Sequence, residues 1–155
     1  WNTQLNKQEV NMESLVIVEI VSGVLFTVFM ILFSLKTKTE SWFYAFALLT
    51  LPTIYMGFGY FSSSEGVVLR ELLYGLPIYV AGLIALFVNF RLAMIICASF
   101  WLIHGVYDLS HDWFFINDGV FSWYPMFCAS VDAAMGAYLF FLAAKATKLQ
   151  RASFL

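Results

Sequence analysis

Residues 15–35 read LVIVEIVSGVLFTVFMILFSL, twenty-one residues with one ionisable side chain, Glu19. At 1.5 Å per residue a helix of this length covers about 31 Å, the thickness of a bilayer's hydrocarbon core. Four further stretches have the same character, so the chain divides into spans at Ser14–Leu35, Ser41–Phe61, Val67–Val88, Leu92–Phe114 and Trp123–Ala144. The apolar runs are long and do not alternate, which excludes the strands of a membrane barrel. Pro52 and Pro77 fall inside the second and third spans. In lipid they imply bends, because neighbouring helices can satisfy the freed backbone groups.

Composition agrees. Of 155 residues, 62% are hydrophobic, 19% aromatic and only 12% charged, whereas soluble domains run about 45–50% apolar and about 25% charged. Mean hydropathy is +0.83. A formal charge of -2 offers no basic field for phosphates, so nucleic acid is not an expected partner. Two cysteines, Cys97 and Cys128, exclude a disulfide scaffold and a cysteine-rich metal cluster. The expected fold class is all-α: an integral membrane bundle of five transmembrane helices, with membrane lipid as its surroundings.

The connections Lys36–Glu40, Ser62–Gly66, Asn89–Arg91 and Phe115–Ser122 are too short for a soluble domain. The expected organisation is an extramembrane tail over 1–13, one membrane domain over 14–148 and a cytoplasmic tail over 149–155. Lys36, Lys38, Arg91, Lys145, Lys148 and Arg151 fall on one side of such a bundle. Lys7 and Arg70 fall on the other, with Glu9, Glu13, Glu65, Glu71, Asp112 and Asp118. Positive loops stay cytoplasmic, which predicts N-terminus out and C-terminus in. No basic segment precedes the first span as in a signal peptide.

Ionisable groups inside a span cost at least about 2.5–3.5 kcal/mol each on insertion scales, so each is a candidate functional residue. The fourth span ends FWLIHGVYDLSHDWFF, carrying His104, Asp108, His111 and Asp112. Offsets of 4, 7 and 8 place all four on one helical stripe about 100° wide. The fifth span adds Asp132 within FCASVDAAMGAY, and the first adds Glu19. His104 and Asp132 each lie about 13–15 Å from the same end of their helices. Sequential antiparallel helices are usually neighbours. These groups are therefore expected to converge on one outward-opening polar pocket.

Imidazoles and carboxylates from adjacent helices form the ligand set of zinc, iron or manganese in a bundle. The expected metal ligands are His104, Asp108, His111 and Asp132, with Glu19, Asp112 and Glu71 as additional candidates. Arg70 and Glu71 otherwise read as an interfacial pair. If the protein is an enzyme, His104, Asp108 and Asp132 are its expected catalytic residues, acting on a lipid or isoprenoid by metal-activated water or proton transfer. Two alternatives stay open. One is an accessory or assembly subunit of a larger membrane complex or homo-oligomer, its polar residues serving as interhelical glue. The other is a proton- or ion-handling protein.

The segments WLIHGVYDLSH (Trp101–His111) and PMFCASVDAAMGAY (Pro125–Tyr138) together resemble a family of small bacterial integral-membrane proteins of unknown function. The resemblance covers the last third of the chain. It implies that His104, Asp108, His111 and Asp132 form one unit, in a bacterial inner membrane, and it supplies no reaction. His104/Asp108 opposite Asp132 is also similar in kind to the sterol-isomerase type of membrane domain, with aspartates for glutamates and on later spans.

Overall fold

A computed structural model describes the backbone of residues 2–152 and the side chains of residues 12–146. Lys7, Glu9, Lys148 and Arg151, used above for orientation, lie outside the described side chains. The elements are α1 (Asn2–Thr37), α2 (Phe43–Tyr60), α3 (Val67–Phe87), α4 (Phe90–Phe114) and α5 (Tyr124–Ala152). All five are long and apolar enough to cross a membrane, and the chain is an integral membrane protein. The segment expected as an N-terminal tail continues α1 back to Asn2.

Local chemistry sets the ends. Asn89 caps α4, its Oδ1 accepting from the Leu92 amide at 3.1 Å, so Phe90 and Arg91 join the helix instead of the loop. After α1, Lys38 adopts a left-handed φ of 57°. The Thr39 amide then reaches the Ser34 carbonyl (3.1 Å) and the Lys38 amide the Leu35 carbonyl (3.3 Å). This is a Schellman stop, with lysine at the position glycine usually takes.

Helix α1 is the most apolar span and the least enclosed: only 11% of its most apolar stretch is buried, against 50% for α5. Its inward stripe is small and polar, with Gly23, Thr27 and Ser34 buried while Leu25, Phe29 and Leu32 face outward. Thr27 donates to the Val131 carbonyl on α5, and Ser34 to the Tyr44 hydroxyl on α2. Small residues inside and large apolar ones outside is the arrangement lipid favours, since packing and hydrogen bonds, not hydrophobic burial, hold helices together there. Helix α1 lies along α5, with next to no backbone contact with α2.

The densest pairing is α4 with α5, followed by α2 with α3. Gly105 eases the first: a Cβ there would stand 3.0 Å from the Asp132 Cβ, so a side chain would make α5 give by a few tenths of an ångström. Gly75 does the same on α3, where a side chain would collide with Pro52 of α2. Around these seams lie Tyr44, Leu48, Met94, Trp101, Met135 and Leu139, each 1% exposed or less. Cys97 and Cys128 are both buried free thiols.

Candidate metal centre

Helices α4 and α5 bring His104, Asp108 and Asp132 together inside the bundle, with 2%, 2% and 0% of their surface exposed. His104 Nδ1 lies 2.8 Å from Asp132 Oδ2 and 3.4 Å from Asp108 Oδ2. Only the first contact has hydrogen-bond geometry. One ligand atom from each residue falls within 4.8 Å of the others, close enough for all three to hold one metal ion. From α2, Tyr55 donates its hydroxyl to Asp108 Oδ1 at 2.7 Å.

The polar accounting of this cluster does not close. Asp108 Oδ2 and Asp132 Oδ1 are buried without a hydrogen-bond partner. Two carboxylates face one imidazole. Buried polar groups are almost always paired, and an unpaired charged oxygen costs more than a neutral one. A cation bound between the three side chains would give Asp108 Oδ2 a partner and offset the carboxylates' charge.

His111, expected at the same ion, belongs elsewhere. Three residues beyond Asp108 it turns toward α3, where its Nε2 lies 2.9 Å from Glu71 Oε1. Asn117 donates to that same oxygen (2.7 Å), and Tyr107 to Oε2 (2.9 Å). Both carboxylate oxygens of Glu71 thus have partners. The expected single pocket is therefore two enclosed clusters. Glu71 is 2% exposed and is no partner of Arg70, whose guanidinium sits instead over the Phe115 ring at 5.9 Å. Asp112, the edge of the expected stripe, has a side chain 91% exposed and reaches only His111 Nδ1, at 3.4 Å. Glu19 is half-exposed on α1 and is not brought to either cluster among the described residues.

Tyr55 joins the two clusters and was not singled out from the sequence. Its hydroxyl serves Asp108, its ring stacks on His111 (4.9 Å between centroids, 23°), and its carbonyl accepts from Asn117 at 3.4 Å. Tyr107 and Asn117 were missed as well. The available signal was a tyrosine in mid-span, where a phenol must find a polar partner. Tyr124, at the start of α5, is 8% exposed and packs edge-on against Tyr55 and Phe58. Trp42, Trp113 and Trp123 do face outward.

Three spaces adjoin the site. A cavity of about 10 Å³, the size of one water, lies between the clusters and is lined by Tyr55, Glu71, His104 and Tyr107. A groove of about 280 Å³ between α3 and α4 reaches His104 and Tyr107. A third, of about 260 Å³, opens between α1 and α2 and is lined at depth by Trp101, Cys128 and Asp132. The last two are apolar and face the lipid side of the bundle.

No family model matches the chain, and no curated protein or solved structure matches it. The chemistry of the site therefore rests on its geometry.

Proposed function

We propose that this protein is an intramembrane metalloprotein in which His104, Asp108 and Asp132 hold one divalent ion and act on an apolar lipid or isoprenoid entering from the bilayer. One observation carries the reading: two buried carboxylates converge on a single imidazole and leave two oxygens unpaired. A nitrogen and two carboxylates suit zinc, iron or manganese. Three protein ligands leave a coordination position open, as catalytic sites require. Such an ion, when bound, supplies a polarising centre and an activated water. Tyr55 would orient Asp108, and the apolar walls would exclude bulk water.

The likeness to small bacterial membrane proteins, and the gathering of Lys36, Lys38, Arg91 and Lys145 at one end of the bundle, support a bacterial inner membrane with the C-terminus cytoplasmic.

The test is elemental analysis of tag-free protein in detergent, wild type beside His104→Ala and Asp132→Asn, each checked for helicity. Near-stoichiometric zinc, iron or manganese in the wild type and little in the folded variants is the expected result. No retained metal after incubation with each ion in turn would refute it and favour an accessory subunit locked by polar contacts.

A second reading has its own observation. Asp112 at the surface, His111, Glu71, the water-sized cavity, His104 and Asp132 form a near-continuous polar chain into the bundle. Chains of this kind serve as proton relays. Proton uptake into proteoliposomes that Glu71→Gln abolishes would favour it; a proton-tight wild type would dismiss it.

A further inference from the structure

The groove between α1 and α2 is backed by two residues whose buried polar atoms have nothing to bond. Asp132 Oδ1 and Trp101 Nε1 are both buried and both unpartnered, in residues 0% and 1% exposed. Both side chains line the same 260 Å³ space. One is an acceptor and the other a donor, so no single-function group satisfies both. A hydroxyl does, since it carries one O–H to give and two lone pairs to receive. Elsewhere the lining is mostly apolar, with Phe26 and Met30 from α1 and Leu51 and Ile54 from α2, beside Thr50 and Tyr124. Its mouth lies where the backbones of α1 and α2 stay apart, α1 packing along α5.

We infer that this groove binds a single-chain lipid alcohol, whose hydroxyl donates to Asp132 Oδ1 and accepts from Trp101 Nε1 while its chain runs out between α1 and α2. The groove takes the hydroxyl and the adjoining hydrocarbon, and the remainder of the chain lies in the bilayer. The same accounting disfavours other heads. A carboxylate could not donate to Asp132 and would add a third negative charge, and a hydrocarbon would leave both atoms unpaired. The alcohol would meet the proposed metal centre through the second oxygen of a shared carboxylate. As a statement about substrate class, the inference therefore rests on that proposal; as a binding site, it does not.

The probe is hexadecan-1-ol carrying a diazirine at C3, added to the full chain in lipid nanodiscs, photolysed and mapped by peptide mass spectrometry. Labelling is expected on α1 near Met30, on Ile54 and on α5 near Cys128. Excess hexadecan-1-ol should suppress it at least tenfold more effectively than 1-methoxyhexadecane, which accepts but cannot donate, or hexadecane. Farnesol as a further competitor separates an isoprenoid from an alkyl source. Trp101→Phe removes the donor without touching the metal ligands, and should weaken competition by about fivefold, the size of one neutral hydrogen bond. Ile54→Trp, at a half-open lipid-facing position, should block labelling while leaving the core unaltered. Labelling spread over all lipid-facing surfaces, or equal competition by the ether and the alcohol, would overturn the inference. Metal content measured on the same samples separates the two failures. Metal without alcohol selectivity ends this inference alone, and alcohol selectivity without metal ends the proposed function alone.

Discussion

Removing one hydroxyl tests the site most cleanly. Tyr55→Phe keeps the ring that stacks on His111 at 4.9 Å and deletes only the 2.7 Å hydrogen bond to Asp108 Oδ1. That bond lies in the bundle interior and Tyr55 is 1% exposed, so water does not replace it readily. A hydrogen bond to a charged acceptor contributes about 1.5–3 kcal/mol. At about 1.4 kcal/mol per factor of ten, this is about 10- to 150-fold in an equilibrium constant. Residues that orient metal-ligating carboxylates typically change metal affinity by about 10- to 100-fold, the same range. The assay is zinc competition against a chelating dye in nanodiscs, with thermal unfolding recorded with and without zinc. The expected result is zinc binding weakened by that factor and a smaller zinc-induced rise in Tm. A Tyr55→Phe protein that binds zinc within twofold of wild type would refute the coupling of Tyr55 to a metal at Asp108. Equal loss of stability with and without zinc would mean that the bond merely locks helices.

Three further outcomes follow from the geometry. Glu71→Gln places an amide among three donors, His111, Tyr107 and Asn117, and should destabilise the bundle by about 3 kcal/mol in a denaturation series while leaving metal stoichiometry unchanged. Loss of metal in that variant would show the two clusters to be one. Gly105→Ala sets a methyl 3.0 Å from the Asp132 Cβ, so α5 must shift by a few tenths of an ångström, and a crowding cost of about 1–3 kcal/mol is offset by the ~1 kcal/mol that alanine gains over glycine in a helix. Because the shift moves Asp132, metal retention should fall, and unchanged retention would contradict the close approach of α4 and α5. Outside the membrane, Asp118 accepts from the hydroxyls of Ser62 and Ser63 and from the Ser63 amide, which holds its carboxyl below the ordinary range. With the native pKa depressed, the docking of the α2–α3 loop on the α4–α5 loop is fully present above about pH 3.9 and is lost as pH falls through the lowered native value. Hydrogen exchange of residues 61–66 should rise at that step, and Asp118→Asn should remove the step; a pH-independent exchange rate in the wild type would count against it.

The five helices were legible in the amino-acid chain because a bilayer imposes a length. Only about twenty unbroken apolar residues cross it, and the limits of α2, expected at Ser41–Phe61 and found at Phe43–Tyr60, show how sharply polar connections mark the ends. The grouping of His104, Asp108 and Asp132 was legible for a related reason. Ionisable side chains have few places to go in lipid, and helical spacing and equal depth sufficed to pair them.

The rotation of α2 and α3, and which helix each remaining polar side chain meets, were not legible. In water, an apolar stripe points a helix's inward face at the core. In lipid both faces are apolar, so Glu71 beside Arg70 read as interfacial until the packing of α3 on α4 turned it inward. Tyr55, Tyr107 and Asn117 owe their roles to partners more than thirty residues away, which no local pattern encodes. The separation of His111 from His104 has the same origin. One helix face about 100° wide meets α5 on one flank and α3 on the other, and only the assembled bundle decides which carboxylate each histidine reaches.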